Sequence, residues 1–157
     1  MTPSRDVPAC LKHHQDALLL AACCSALVTL VPVALYQTRA MSSLPDPPSR
    51  VFDSVRITTS KAAYPFGIPD ALLGLASFSA TLSLIVLARN HRMAKRLLGA
   101  KLVLDASAAA FNASRQVISF GQLCSWCTGT AISAGVMAYA GRDVIRKTFS
   151  ASAELAN

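Results

Sequence analysis

The sequence predicts an all-α fold, an integral membrane four-helix bundle with a long outward loop between its first two helices. Three observations carry this. Hydrophobic residues make up 53% of the chain and charged residues 15%, against about 25% charged in ordinary soluble domains. Aromatic residues are 6%, so the apolar content is mostly Ala, Leu and Val, which suits helices better than sheets. The apolar residues also fall into stretches of membrane-crossing length, separated by short basic segments. The 157 residues fit one domain. The reading divides them into an N-terminal cytoplasmic tail (1–16), a membrane domain (17–147) and a C-terminal tail (148–157), the last a frayed polar end.

The first span covers residues 17–36, ALLLAACCSALVTLVPVALY, without a charge. A helix of ~20 apolar residues crosses the hydrocarbon, and Pro32 lies near its outer end, where a kink is tolerated. The start of the chain does not read as a signal peptide, because the apolar run is long and no small-residue cleavage site follows it cleanly. Residues 37–67 form a loop containing Pro45, Pro47 and Pro48 and mixed charges. It is too polar to span, and loops of this length beside a bundle often fold over a site.

The second span covers 68–88, with Asp70 near its start; Arg89, His91, Arg92, Lys95 and Arg96 follow. The third, 97–120, contains Lys101, Asp105, Asn112 and Arg115. Lys101 and Asp105 are four apart, share a helix face and are placed to pair, and charges within a span face the bundle interior or snorkel to an interface. The fourth, 123–140, offers Gly129, Ser133 and Gly135 for close helix packing, and Arg142, Arg146 and Lys147 follow it. These basic flanks put both termini and the middle connection in the cytoplasm. The long loop, despite Arg39, Arg50, Arg56 and Lys61, and the start of the fourth span then face outward.

The net charge is +7, but it is dispersed between apolar segments as topological charge, so no nucleic-acid partner is expected; a soluble DNA-binding protein is the reading that charge alone would suggest. Of the cysteines, Cys124 and Cys127 have a spacing with chemical meaning: three apart on a helix, their sulfurs approach on one face. A helix N-terminus stabilises a thiolate, and the outward face is the oxidising one. Such a pair can alternate between dithiol and disulfide; packing as small apolar side chains is the competing reading. Zinc needs four ligands, or three and water, and His13, His14 and His91 lie on the opposite face, so no metal site is expected. Cys23 and Cys24 read as packing residues and Cys10 as a free thiol in the tail. Asp70 reads equally as a helix cap or as a polar group aimed into a pocket, where burial would let it hold and donate a proton. Trp126 reads as an interfacial anchor or as a wall of the same pocket.

Two stretches, Phe66-Gly67-Ile68-Pro69-Asp70-Ala71-Leu72-Leu73-Gly74 and Leu123-Cys124-Ser125-Trp126-Cys127, with Ser49-Arg50-Val51-Phe52-Asp53-Ser54 as a third, are similar to the bacterial vitamin K epoxide reductase family over residues 15 to 147. The resemblance implies a bundle around a quinone, ubiquinone or menaquinone, in the bacterial inner membrane. It implies that Cys127 faces the quinone, that Cys124 exchanges with incoming thiols, and that Asp70, Phe66, Leu73 and Ala131 line the quinone pocket. Asp70 falls where the family often has Asn or another polar residue. Ala131 falls where vertebrate members carry a Tyr, which sets this chain apart from the vertebrate epoxide chemistry. The family's second cysteine pair is missing from the loop, where Pro48 occupies one of the places. Cys124 is therefore expected to meet a reductant directly, a thioredoxin-fold protein. The resemblance thus implies a thiol/disulfide oxidoreductase that oxidises extracytoplasmic protein thiols and reduces a membrane quinone. The alternative is a non-catalytic membrane protein that keeps the fold for binding or assembly.

Overall fold

A computed structural model describes the backbone of residues 9–154 and the side chains of residues 14–150; Cys10 and His13, and with them the free thiol expected in the tail, lie outside the described side chains. The fold is all-α: α1 (Ala9–Gln37), α2 (Ser54–Thr58), α3 (Asp70–Leu87), α4 (Arg92–Phe120), α5 (Ser125–Ala140) and α6 (Arg142–Glu154), with 3₁₀ turns at Lys61–Ala63 and Pro65–Gly67. Among the described residues, two helical segments are long and apolar enough to cross a membrane, His14–Gln37 and Asp70–Leu87. Pro32 lies inside α1, and the helix runs on past it to Gln37.

α1 packs against α3 and α5, and α4 touches α3, α5 and α6. The core is built from small and aliphatic side chains, Cys23, Ala26 and Val33 of α1, Leu102 of α4 and Ala134 and Met137 of α5. Small residues let α1 and α5 approach: a Cβ on Gly129 would stand 3.0 Å from Thr29 Cγ2, and the Ser133 and Ser25 hydroxyls bond across the interface at 3.2 Å. Gly135, expected to share this role, is exposed with open space beside it. Cys23 is fully buried, as its packing role required. Cys24, expected to pack as well, is instead exposed, because adjacent helical residues diverge by ~100°.

The C-terminal segment departs from the sequence expectation. Residues 148–154, expected as part of a frayed tail, belong instead to helix α6, packed along the start of α4. Val144 and Ile145 pack against the core, and Gly99 of α4 makes the close approach possible. A Cβ there would fall 2.2 Å from Thr148 Oγ1 and 3.0 Å from the Val144 carbonyl. Gly99→Ala should therefore destabilise the protein by ~1–3 kcal/mol through overpacking, outweighing the ~1 kcal/mol gain in helix propensity. Thermal unfolding in detergent and protease sensitivity of the C-terminal segment measure it. A more stable variant would show that α6 is not docked in solution.

Candidate functional site

α4 ends at Gly121, whose left-handed backbone (φ 65°) closes the helix as glycine does most readily. The chain turns directly into Cys124, the N-cap of α5. Cys124 therefore sits one residue outside the helix, with an extended backbone, rather than on a helical face shared with Cys127. The two residues still meet. The Cys127 amide donates to Cys124 Sγ at 3.1 Å, using a first-turn N–H that the helix cannot satisfy itself. The Cys124 amide donates to Gln116 Oε1 at 2.9 Å. Both cysteines are free thiols.

Their surroundings differ. Cys127 opens onto a cavity of about 340 Å³ between α1, α3, α4 and α5, within the size range of small-molecule sites. Its walls are mainly apolar, among them Leu30, Val33, Phe78 and Ala109. Asp70, Leu73 and Ala131 also line it. Phe66 does not. It is 100% exposed, because the left-handed backbone at Phe66 (φ 57°) in the turn Pro65–Gly67 accompanies a side chain directed outward, and Pro65 lines the cavity instead.

Asp70 is not the N-cap of α3; Pro69 holds that position, and the cap makes no side-chain hydrogen bond. The Asp70 carboxylate instead receives the Gln37 side-chain amide at 2.8 Å. The same amide donates to the Thr58 carbonyl at 3.2 Å, while Gln37 Oε1 accepts from the Ala71 amide at 3.2 Å. One buried glutamine thus joins the end of α1, the long loop and the start of α3. Arg115 enters the cavity wall from α4, donating to the Ala62 carbonyl at 3.1 Å and to Asn112 Oδ1 at 2.9 Å. Gln37, Gln116 and Arg115 were not singled out for the site by sequence. A polar side chain in or beside an apolar span was the available signal, and it was strongest at Arg115.

Cys124 is 0% exposed, because the long loop lies across it. Backbone pairing fastens the loop: Leu123 donates to the Val51 carbonyl at 2.8 Å, and Asp53 donates to the Leu123 carbonyl at 3.0 Å. Trp126 Nε1 donates to the Pro45 carbonyl at 2.9 Å, so this side chain pins the loop instead of lining the cavity. Asp46 forms the polar clasp, accepting from the Ser54 amide at 2.6 Å, the Ser54 hydroxyl at 2.5 Å and the Ser125 hydroxyl at 2.6 Å.

Burial works to raise the Asp46 carboxyl, but the hydrogen bonds from Ser125 and Ser54 outweigh it and hold the group below its ordinary value of 3.8. A depressed carboxyl stabilises the ionised clasp above the unfolded value, and that stabilisation is lost as pH falls through the folded one. Trp126, the single tryptophan, reports it: its fluorescence should show a transition below pH 3.8, absent in Asp46→Ala. At neutral pH, Asp46→Ala should raise the maleimide-labelling rate of Cys124 several-fold. Unchanged labelling would mean that the backbone pairing alone holds the loop closed.

A family model described as the Vitamin K epoxide reductase family matches residues 17–140. No curated protein and no solved structure matches the chain.

Proposed function

The chain belongs to the vitamin K epoxide reductase family, and from that premise we propose that it is a membrane oxidoreductase that oxidises extracytoplasmic protein thiols through Cys124 and Cys127 and reduces a membrane quinone. One observation carries the reading: Cys127 and Asp70 open onto the same apolar cavity while Cys124 Sγ lies against the Cys127 amide. The cavity suits a quinone headgroup, with apolar walls for the ring and polar groups at the Asp70 end for an oxygen.

Four membrane spans, about 17–36, 68–88, 97–120 and 123–140, accompany this reading. Exposed Leu104 and Ile118 on α4, and Ile132 and Tyr139 on α5, support lipid contact for these two helices. Lys101 and Asp105 turn inward, as charges in a span do. The basic flanks favour both termini in the cytoplasm and the C-x-x-C near the outer face, and the family likeness supports a bacterial inner membrane.

The residues divide the work. A partner thiolate, from a thioredoxin-fold protein, attacks the Cys124–Cys127 disulfide at Cys124, and Cys127 leaves as a thiolate on the cavity side. The partner's second thiolate then attacks the mixed disulfide, releasing Cys124 and an oxidised partner. Quinone, when bound, supplies the two-electron, two-proton acceptor that lets the sulfur–sulfur bond re-form. The balance is one dithiol and one quinone to one disulfide and one quinol. Asp70, fixed by Gln37, holds a proton at its carboxyl on the cavity side. Because Cys124 is covered, the clasp around Asp46 must open before a partner reaches it. Purified protein, a reduced thioredoxin-fold substrate and a soluble quinone test the proposal: quinol should form one-for-one with substrate disulfide. Quinone reduction that does not depend on thiol would end it.

A further inference from the structure

Asp70 and Cys127 occupy one end of the cavity, and the other end is not apolar. Ser77 and Asp105 line it. Asp105 is 5% exposed, and its carboxylate is served three times: Oδ1 accepts from Lys101 and from the Ser77 hydroxyl at 2.9 Å, and Oδ2 accepts from the Thr81 hydroxyl at 2.6 Å. Lys101 also donates to Ser77 Oγ at 2.8 Å. Nothing in the proposed thiol chemistry uses this group.

Resting on the quinone reading above, we infer that Ser77 is a second hydrogen-bonding anchor in the cavity, polarised by Lys101 and Asp105 and built for the distal oxygen of a para-quinone. Three features support it. The first is donor count. If the Ser77 hydroxyl turns to a ligand carbonyl, Asp105 keeps Lys101 on one oxygen and Thr81 on the other, so neither oxygen is orphaned. The Lys101 ammonium remains on Ser77 Oγ, and donation from a cation into a hydroxyl strengthens that hydroxyl as a donor.

The second is spacing. Asp70 and Ser77 are seven residues apart on α3, and Leu73, Gly74 and Phe78 line the cavity between and beside them. Seven residues rise about 10.5 Å along a helix. A para-quinone carries its oxygens about 5 Å apart, and one hydrogen bond of ~2.8 Å at each end brings the span to about 11 Å. The third is position. The other polar cavity residues of α4, Asn112, Arg115 and Gln116, lie at least seven residues beyond Asp105, where Arg115 holds the Ala62 carbonyl and Asn112 and Gln116 accepts from the Cys124 amide. The Thr130 hydroxyl lies against the Trp126 carbonyl and Thr29, and Ala131 offers no donor.

The test is a ligand-side cycle that does not need turnover. 2-Methyl-1,4-naphthoquinone is titrated by quenching of Trp126 fluorescence, and the one-carbonyl analogue 1-tetralone is measured by competition. Wild type should prefer the quinone about tenfold, the scale of one polarised hydrogen bond. In Ser77→Ala that preference should vanish, with tetralone affinity unchanged and helical circular dichroism retained. Ser77→Thr, which keeps a hydroxyl, should preserve it. Equal preference in wild type and Ser77→Ala, or loss of preference in Ser77→Thr at full helicity, would overturn the anchor. Binding with the expected preference but no thiol-driven quinol would overturn the oxidoreductase reading and leave the anchor standing. Absence of binding by either compound to wild type would overturn both.

Discussion

Cys127→Ala is expected to abolish thiol-driven quinone reduction, by roughly 10³-fold or more as for loss of a nucleophile, and to trap a substrate on Cys124. Cys124 sits beneath the loop, away from the cavity lining, and Cys127 opens onto the cavity. A thioredoxin-fold substrate with one active-site cysteine, presented as its mixed disulfide with 2-nitro-5-thiobenzoate, supplies an unambiguous reaction. The Cys124 thiolate attacks the substrate sulfur, the yellow thiolate leaves, and the new disulfide persists because no Cys127 remains to resolve it. Release of one equivalent of dye and a covalent adduct on a gel are the readouts. Cys124→Ala should lose quinol formation equally but form no adduct, since Cys127 does not face the substrate. An adduct of equal yield in Cys124→Ala would reverse the roles of the two sulfurs, and none in either variant would exclude exchange at this pair. Adding Asp46→Ala to Cys127→Ala should speed adduct formation, because the clasp that covers Cys124 is then broken.

What the sequence disclosed follows the range of each interaction. Local spacing was sufficient for the i,i+4 contact of Lys101 with Asp105 and for Asp70 at the start of α3; it located the C-x-x-C pair but not its geometry, because Cys124 caps α5 instead of sharing its face. It was also sufficient for the apolar lengths of α1 and α3. Contacts made across long stretches of chain were not legible. Asp46 meets Ser125 from 79 residues away, and nothing in a Pro-rich loop announces which carboxylate will find which hydroxyl. The burial of Cys124 is a consequence of that clasp, so it was hidden too. Phe66 shows a different failure: the motif located the residue, but the backbone at that turn decides where the ring goes, and a left-handed φ sends it away from the cavity. α6 was within reach. Val144, Ile145, Thr148 and Phe149 recur at helical spacing, and starting the tail at residue 148 cut an amphipathic helix in two.

Lys101→Met should produce the largest loss of stability among single changes in the bundle. Lys101 and Asp105 are 17% and 5% exposed at their side chains, so each depends on the other for compensation. Removing the ammonium leaves a buried carboxylate with hydroxyl donors alone, Ser77 and Thr81, and breaking such a pair costs about 3–5 kcal/mol. Lys101→Met with Asp105→Leu removes both charges and fills the space with apolar atoms, which is commonly neutral or stabilising. The double variant should therefore unfold later than Lys101→Met alone, although it carries one more substitution. Thermal unfolding in mild detergent, followed by circular dichroism, provides the comparison. Additive losses would mean that the charges reach water and that α4 does not turn them into the bundle. Recovery of stability in the double variant without recovery of the tenfold quinone preference would separate the two consequences of this pair. The fold would then be indifferent to the charges, while the Ser77 hydroxyl would still need the ammonium behind it.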